Sequence, residues 1–404
     1  MEIFMNRHRT GGRGYMKKII SLTAGAVLLA FLPAGCGSIH STAIQLGLAE
    51  SPYYHNGDTE WDHGGIEEYY FNQIPGGLND IYRELYSRLS NREDEADLYA
   101  QVRMDEFQTA YTSVINDHPE FFWLGSNMEM SWSDRTGKVV AYKVTPIVGE
   151  AERDAMQRQI EEAADQCIAG IPGGAGDYEK IKYVYEYIIN TTDYDSSSED
   201  NQSIQSVLLN KRSVCAGYSR AFQYILHRMG LFCTYVSGTT TDGGDHAWNI
   251  VRIGDQYYNV DVTWGDPVFE NSLRSSDQVR AMNYNYLCCT DAELDKTHIS
   301  DAPVPLPACT DDSYNYYKLN GMYYETFDYD TIYNTLMNSV WNNADYCVMK
   351  FGSDEAYQQA RTEIFDNGML RDPTQYLMDT YGLSSWNYTY NTDDEFDLIT
   401  IYWQ

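Results

Sequence analysis

The spacing of apolar residues in the first half of the chain predicts helices and one β-hairpin. Residues 78–114 are expected to be helical because their apolar side chains recur every three or four positions, at Ile81, Leu85, Leu89, Phe107, Tyr111 and Val114. Apolar and polar residues then alternate over 128–148 on both sides of a turn at 134–137, which is typical of a hairpin. Helical spacing returns over 150–169 and 178–189.

The middle of the chain combines another helix with buried strands. A helix is predicted to begin beside Ser213, because the apolar residues that follow form one stripe: Val214, Tyr218, Ala221, Phe222, Ile225 and Met229. A buried strand over 231–236 comes next. Two strands with alternating residues, 246–253 and 256–264, then flank the pair at 254–255, a Gly-Asp sequence that suits a two-residue hairpin turn.

Alternate prolines over 303–307 predict a stiff linker and the main domain boundary. Beyond it, strand and helix patterns follow one another, and a small α/β domain over 308–404 is expected. The predicted strands lie at 314–324, 346–351, 386–390 and 396–403, and the predicted helices at 329–341 and 354–367.

Residues 1–36 have the pattern of a secretory signal sequence. Basic residues at 17–18 precede an uncharged run over 19–32, which is too short to span a bilayer as a helix but suits a signal peptide. Small residues then lead to Cys36, and this stretch resembles a bacterial lipobox. The resemblance implies that Cys36 is lipidated and that the protein is extracytoplasmic and anchored to the cell membrane by lipid alone. Pro33 departs from the lipobox pattern, so ordinary secretory cleavage and an uncleaved anchor stay open.

The segments before and after this signal sequence are interpreted as an upstream extension and a tether. Met16 is the expected start, because signal peptides begin at their own basic methionine, and residues 1–15 would then be an upstream extension. Residues 37–75 are rich in Ser, Gly, Asn, Asp and Tyr without a clear period, so they are predicted to form a tether.

Composition and charge exclude some classes of function. The 404 residues suffice for two or three domains, and the 43% apolar content allows packed cores. The chain has 59 acidic and 28 basic residues and a formal charge of −31, so it repels phosphate backbones and no nucleic-acid partner is expected. The sequence has neither a CxxC pair nor an HExxH helix, so neither a metal nor another cofactor is expected.

The position of Cys215 favours nucleophilic chemistry. With Ser213 as the N-cap, Cys215 lies in the first helical turn, where the helix dipole and free backbone N–H groups favour a thiolate. The same N–H groups could hold a developing oxyanion. Although a lone cysteine is more often a small core residue, Cys215 flanks the polar start of the apolar stripe instead of lying within it.

The hairpin around 254–255 brings a histidine and an aspartate into register. With a two-residue loop, His246 lies opposite Thr263 and has Asp261 as its diagonal neighbour on the same face. Asp261 could then fix the imidazole while the other ring nitrogen addresses a thiol. A three-residue loop would shift the register by one residue and separate the pair.

Residues 194–267 resemble the core of the transglutaminase-like superfamily. The matching segments are SVCAGYS at 213–219, Gly-Leu at 230–231, HAWN at 246–249 and YYNVDVTW at 257–264. The resemblance implies an α+β fold with a papain-like core, in which the helix bearing the nucleophile packs on an antiparallel sheet. The expected order is an N-terminal helix and hairpin region at 76–149, a catalytic domain at 150–302 and the small α/β domain at 308–404.

The resemblance also implies a chemistry. Cys215, His246 and Asp261 match the family's nucleophile, base and orienting residue, and the family transfers acyl groups through a thioester. Water as the acceptor makes a peptidase or amidase, a lysine amine makes a cross-linking transglutaminase, and these residues do not distinguish the two. The candidates for a further oxyanion or cleft residue are Tyr194, Gln205 and Trp248.

The expected partner is a protein or peptide substrate, cell-wall peptides included, and the chain is expected to be a monomer without cofactor. The alternative is a cell-surface binding module that keeps the fold and has lost activity. The presence of all three catalytic residue types argues against it, because inactive relatives of enzymes usually lack one of them.

Overall fold

A computed structural model describes residues 20–22, 25–27, 67–266 and 282–403. Cys36 and most of the predicted signal peptide and tether therefore lie outside the described residues. The chain divides into two compact units: the first comprises Met1–Arg252 with Ile299–Pro307, and the second comprises Ile253–His298 with Ala308–Gln404. Among the described residues, no helix combines the length and apolar character needed to cross a bilayer.

The described residues contain both helices and strands. The helices are α1 Tyr69–Gln73, α2 Asn79–Ser90, α3 Met104–Asp117, α4 Glu150–Ala169, α5 Asp177–Thr191, α6 Ile204–Leu208, α7 Cys215–Arg228, α8 Asp291–Leu294, α9 Tyr316–Leu319, α10 Tyr329–Trp341, α11 Asp354–Arg361 and α12 Arg371–Tyr381. The strands are β1 Ile20–Leu22, β2 Gly25–Val27, β3 Glu95–Asp97, β4 Leu124–Trp132, β5 Val139–Pro146, β6 Asp193–Tyr194, β7 Arg212–Ser213, β8 Cys233–Thr240, β9 Asp245–Ile253, β10 Gln256–Val260, β11 Leu287–Cys289, β12 His298–Ser300, β13 Tyr323–Tyr324, β14 Tyr346–Phe351, β15 Tyr388–Asp393 and β16 Leu398–Trp403.

The first unit contains the predicted hairpin but not the single helical region predicted over 78–114. Strands β4 and β5 pair antiparallel, and β3 adds to the other edge of β5 with Ala96 opposite Tyr142. The helical region is interrupted because Arg92 turns the chain with a φ of 61° after α2 ends. The residues after the turn then pair as β3 with a strand that lies far away in sequence, so the apolar spacing alone did not show the break.

A short helix lies inside the segment predicted to be a tether. Tyr70 in α1 is fully buried, so this part of the segment belongs to the core of the first unit. Asp117 fixes the start of α1: its carboxylate accepts hydrogen bonds from the backbone N–H groups of Tyr70 (3.0 Å) and Phe71 (2.9 Å). It also accepts one from the Tyr82 hydroxyl at 2.8 Å.

Helix α7 packs against an antiparallel strand pair in the first unit. Strands β8 and β9 are in register with Val236 opposite Trp248 and Gly238 opposite His246. Gly238 is required there, because a Cβ atom would lie 2.2 Å from the Ile299 carbonyl oxygen. The glycine therefore lets the chain at Ile299 approach the strand pair closely.

The second unit contains two separate strand arrangements. Strands β10 and β11 pair antiparallel, with Asn259 opposite Cys289. The C-terminal sheet has the order β13-β14-β16-β15, in which only the β13–β14 pair is parallel. Its core is formed by residues of the sheet and of the helices that cover it, among them Ile332, Leu336, Met349, Tyr357, Ile399 and Ile401.

The C-terminal prediction was right for some elements and wrong for others. Helix α10 and strand β14 have the predicted bounds. The strand expected at 314–324 is wrong except for its last two residues, which form β13. Residues Tyr316–Leu319 form a helix instead, because the Asn315 side chain accepts hydrogen bonds from the N–H groups of Tyr317 and Lys318. Helix α12 was not predicted at all.

Candidate functional site

Cys215 is the first residue of α7, and its side chain is only partly buried. The N-cap is Val214, whose side chain makes no capping hydrogen bond, so the prediction of Ser213 as the N-cap is wrong. The Ser213 hydroxyl instead donates to the Asn201 carbonyl oxygen at 2.8 Å and lies 2.6 Å from the Ser206 hydroxyl. The N–H groups of the first turn are thus left without a side-chain cap beside the sulfur.

A tight contact under the first turn fixes the position of Cys215. Gly217 lies directly over the same hydroxyls: a Cβ atom there would be 2.0 Å from the Ser213 oxygen and 2.7 Å from the Ser206 oxygen. It would also be 2.8 Å from the Asn201 carbonyl oxygen, which belongs to the backbone and cannot rotate away. Only a glycine lets the helix start this close to the preceding loop.

Replacing Gly217 with Ala is therefore expected to displace the first turn of α7. We expect the free energy of unfolding to fall by about 1–3 kcal/mol from overpacking. The alkylation rate of the Cys215 thiol should fall with it, because the sulfur moves with the turn. Urea denaturation and mass-spectrometric labelling would measure the two effects. The control is Gly77→Ala, where a Cβ atom meets nothing within 4 Å and both quantities should stay unchanged.

Two hydrogen bonds attach α7 to the strand that carries His246. The Ser219 hydroxyl donates to the Ala247 carbonyl oxygen at 2.9 Å, and the Asn249 side-chain amide donates to the Ser219 carbonyl oxygen at 3.1 Å. Ser219 lies one helical turn after Cys215, so both project from the same face of α7. Ala247 follows His246 directly. The first unit therefore places the turn that bears the thiol beside the start of the His246 segment.

His246 lies in β9 with 6% of its surface exposed. Its ring stacks against Trp248, with the centroids 6.3 Å apart and the planes at 22°. Trp248 is itself 2% exposed, and it packs against the site of Gly238. Trp248 therefore forms an apolar wall for the imidazole.

The other two predicted cleft residues occupy different surroundings. Tyr194 lies in β6, which pairs parallel with β7 so that Tyr194 is opposite Ser213, two residues before Cys215. Gln205 is 4% exposed in α6, and its side-chain oxygen accepts no hydrogen bond from the described residues. Tyr194 is therefore paired with a residue two positions before Cys215, and Gln205 has an unused acceptor in the interior.

Asp261 lies in the second unit, directly after β10, and is fully buried. One carboxylate oxygen accepts hydrogen bonds from the backbone N–H groups of Thr263 (2.8 Å) and Trp264 (3.2 Å). The other lies 3.0 Å from Nε2 of His298. This turn also explains why the predicted strand over 256–264 ends at Val260.

The sequence reasoning missed His298. Its Nε2 lies 3.0 Å from the Asp261 carboxylate, and its Nδ1 lies 2.7 Å from the Thr297 hydroxyl. Both His298 and Asp261 have fully buried side chains, and the Trp264 ring packs against the imidazole at 4.8 Å between centroids. His298 therefore fixes the orientation of the Asp261 carboxylate. No motif surrounds it in the sequence, because a lone histidine acquires this role only through the fold.

Comparisons with known proteins place part of the chain in one family. The model of the transglutaminase-like superfamily matches residues 165–262, which include Cys215, His246 and Asp261. The chain is 25% identical over 112 residues to the kyphoscoliosis peptidase of Mus musculus and 27% identical over 105 residues to that of Homo sapiens. These matches cover 24% and 22% of this chain but only 17% and 16% of the two peptidases.

A solved structure described as a TGase is also similar. It shares 15% identity and a TM-score of 0.26, over 47% of this chain and 53% of the other. The described residues combine helices with mostly antiparallel strands, so the fold is α+β, as predicted. Residues 165–262 therefore form a transglutaminase-like core.

Proposed function

We propose that the protein catalyses cysteine-dependent acyl transfer or hydrolysis on protein or peptide amides. The observation that carries the proposal is the attachment of α7 to β9. The Ser219 hydroxyl bonded to Ala247 holds the turn of Cys215 beside the segment of His246. A partly exposed thiol at an uncapped helix start, on a helix that is hydrogen-bonded to the strand of a buried imidazole, supports an activated nucleophile.

In the proposed reaction, His246 accepts the proton of the Cys215 thiol, and the sulfur attacks the carbonyl carbon of the substrate amide. The C–N bond then breaks, the leaving amine takes the proton from His246, and a thioester remains on Cys215. Water or a second amine attacks the thioester, with His246 again acting as base, and restores the thiol. Asp261 serves as the group that orients the imidazole.

The backbone of α7 supplies the proposed oxyanion site. The N–H groups of the first turn carry no side-chain cap, and the helix dipole adds partial positive charge at this end. The developing negative charge on the substrate oxygen would therefore find donors on the helix that also bears the sulfur. Tyr194, Gln205 and Trp248 are the proposed additional contributors to the cleft.

Site-specific alkylation tests this proposal. Purified protein would be treated with a limiting amount of iodoacetamide across pH, and the modified sites read by mass spectrometry. Cys215 is expected to react fastest below pH 7, because an ion pair with an imidazole keeps a thiolate at low pH. The variant His246→Ala should lose this advantage.

The buried cysteines of the same chain are internal references. Burial raises the pKa of Cys167 and of Cys347 to about 12, so both should stay unmodified in folded protein. If Cys215 reacts no faster than these thiols, or if His246→Ala leaves its low-pH rate intact, the catalytic proposal fails. The protein would then be better explained as a binding module with the same fold.

For location and partners we propose an extracytoplasmic monomer anchored by lipid on Cys36. The support is the sequence of residues 16–38, with its basic start, uncharged run and small residues before the cysteine. The substrate would then be an extracytoplasmic protein or peptide, cell-wall peptides included. Cys36→Ala should release the protein from the membrane fraction of expressing cells, and unchanged membrane association would contradict the lipid anchor.

A further inference from the structure

A cavity of about 300 Å³ lies in the first unit, outside the residues assigned to catalysis. Its walls come from the C-terminal part of α3, the segment that follows it, the start of β4 and the loop at 200–203. About half of the lining residues are apolar or aromatic, among them Ile115, Phe121, Phe122, Leu124, Met128 and Ile147. Its volume is at the lower end of the range for small-ligand sites and suits one large side chain with its backbone.

The cavity adjoins the segment that positions the nucleophile. Asn201 lines it, and the Asn201 carbonyl oxygen accepts hydrogen bonds from the Val214 N–H (3.2 Å) and the Ser213 hydroxyl (2.8 Å). Val214 and Ser213 directly precede Cys215. One wall of the cavity is therefore the same loop that holds the start of α7.

An arginine side chain enters the cavity from α7 itself. Arg220 lines the cavity, donates one hydrogen bond to the Ile115 carbonyl oxygen at 2.7 Å, and lies 4.4 Å above the Tyr235 ring. The guanidinium also hydrogen-bonds the Tyr235 hydroxyl, whose pKa burial raises to about 12.

The Arg220 guanidinium has N–H donors that its contacts within the protein leave unused. Arginine has five N–H donors in a planar fork that matches a carboxylate. Among the described residues, no carboxylate lies within 4.0 Å of Arg220, although acidic residues outnumber basic ones about twofold in the chain. Asp200 is an exposed lining residue, so solvent screens its charge.

A buried hydroxyl in the wall adds a second unused polar group. Ser203 lines the cavity with 8% of its surface exposed, and its hydroxyl has no hydrogen-bond partner in the described part of the chain. A buried polar group without a partner costs free energy, and a bound ligand can supply the missing bond. A partly apolar lining with unused guanidinium donors and an unpartnered hydroxyl indicates a ligand that is apolar on one side and carries a carboxylate.

We propose that this cavity is a substrate subsite that binds an apolar or aromatic amino-acid side chain, with Arg220 holding a carboxylate next to it. Its role as a subsite rests on the proposed acyl chemistry at Cys215. Peptides with a free C-terminal apolar residue, or with an acidic residue beside an apolar one, combine the two features. The cavity therefore selects the substrate by a group other than the amide that reacts.

The test separates binding from catalysis. N-acetyl-phenylalanine and N-acetyl-phenylalanine amide would be titrated by calorimetry into full-length protein carrying Cys215→Ser, which has no reactive thiol. The acid is expected to bind at least about tenfold more tightly than the amide, because charge-assisted hydrogen bonds exceed neutral ones. Arg220→Gln should remove this preference, and Arg220→Lys should keep part of it.

A cavity-filling variant keeps the test independent of Arg220. Thr112 lines the cavity from α3, so Thr112→Phe should abolish binding of both probes. The matched control is Thr109→Phe on the same helix, at a residue that does not line the cavity, and it should bind as the parent does. Equal binding of acid and amide, or binding that survives Thr112→Phe, would overturn the proposal.

A final measurement links the cavity to the thiol. In protein with Cys215 intact, saturating N-acetyl-phenylalanine should slow alkylation of Cys215 at least about threefold, because the occupied cavity adjoins the start of α7. An unchanged rate would overturn the assignment as a subsite. Because binding is measured without the thiol, an inert Cys215 would defeat the catalytic proposal while leaving the binding result interpretable.

Discussion

Replacing Asp261 with Asn should slow acylation of Cys215 by about 10²- to 10⁴-fold, the range by which an oriented general base accelerates such steps. Asp261 is buried, and two backbone N–H groups and His298 fix its carboxylate. An amide of the same shape would present N–H donors in place of one acceptor, so it could no longer perform the orienting role proposed for Asp261. The burst of p-nitrophenol released from p-nitrophenyl acetate would report the rate.

A half-buried carboxylate in the same unit provides the control. Asp291 accepts hydrogen bonds from the Asn259 amide (2.9 Å) and the Cys309 N–H (2.8 Å), as Asp261 does from its own neighbours. Asp291→Asn should leave the burst rate within about twofold, because its role is structural. An equal loss in the two variants would indicate damage to the fold, and an unchanged rate in Asp261→Asn would remove Asp261 from the mechanism.

Asp117→Ala should lower the free energy of unfolding by about 3–5 kcal/mol, the loss expected when buried donors lose their acceptor. The substitution strands the N–H groups of Tyr70 and Phe71 in the interior. It also removes one of two partners of the Tyr82 hydroxyl, the other being Nε2 of His118 at 3.1 Å. Asp117 is 4% exposed, so water cannot easily replace the carboxylate. Urea denaturation would measure the change.

The control for this variant is an exposed carboxylate. Asp312 pairs with Lys318 at the surface, and Asp312→Ala should change the free energy of unfolding by less than about 0.5 kcal/mol. A loss of similar size in both variants would contradict the special role of Asp117.

The pH dependence gives an additional check on Asp117. Burial raises the pKa of Asp117 from 3.8 to about 6, so the folded protein binds this proton more tightly than the unfolded chain does. Its contribution to stability is therefore greatest below pH 4 and is lost as the pH rises through 6. The difference in stability between wild type and Asp117→Asn should change over this window. A constant difference between pH 4 and 7 would show that Asp117 does not titrate there.

Helices with strong local patterns were predicted well from the sequence. Helix α4 has the predicted bounds, because its apolar positions and the glycines at both ends are local features. Helix α10 also matches, since the Asp328 side chain caps it by accepting from the Thr331 N–H. The turn at 254–255 occupies the predicted residues, with Gly254 at a φ of 60°. In each case the residues that decide the structure are neighbours in sequence.

Features that depend on distant contacts were not predictable in this way. Strand β3 forms because it pairs with β5, and nothing within its own three residues indicates a strand. The Ser213 hydroxyl was expected to cap α7, but Asn201 and Ser206 compete for it once the chain folds. His298 reaches Asp261 across 37 positions of sequence. The reactive residue types were visible from motifs, whereas the groups that hold them in place were not.

The unequal exposure of the cysteines also governs how the protein meets oxidants. Of the described cysteines, Cys215 alone is not buried. Peroxide acting on folded protein would thus form a sulfenic acid at Cys215. The other described cysteines are buried and are not expected to form a disulfide with it. Continued exposure would convert the sulfenic acid irreversibly to a sulfinic acid. In the proposed mechanism, substrate would protect Cys215, because a sulfur held as a thioester has no thiolate to oxidise.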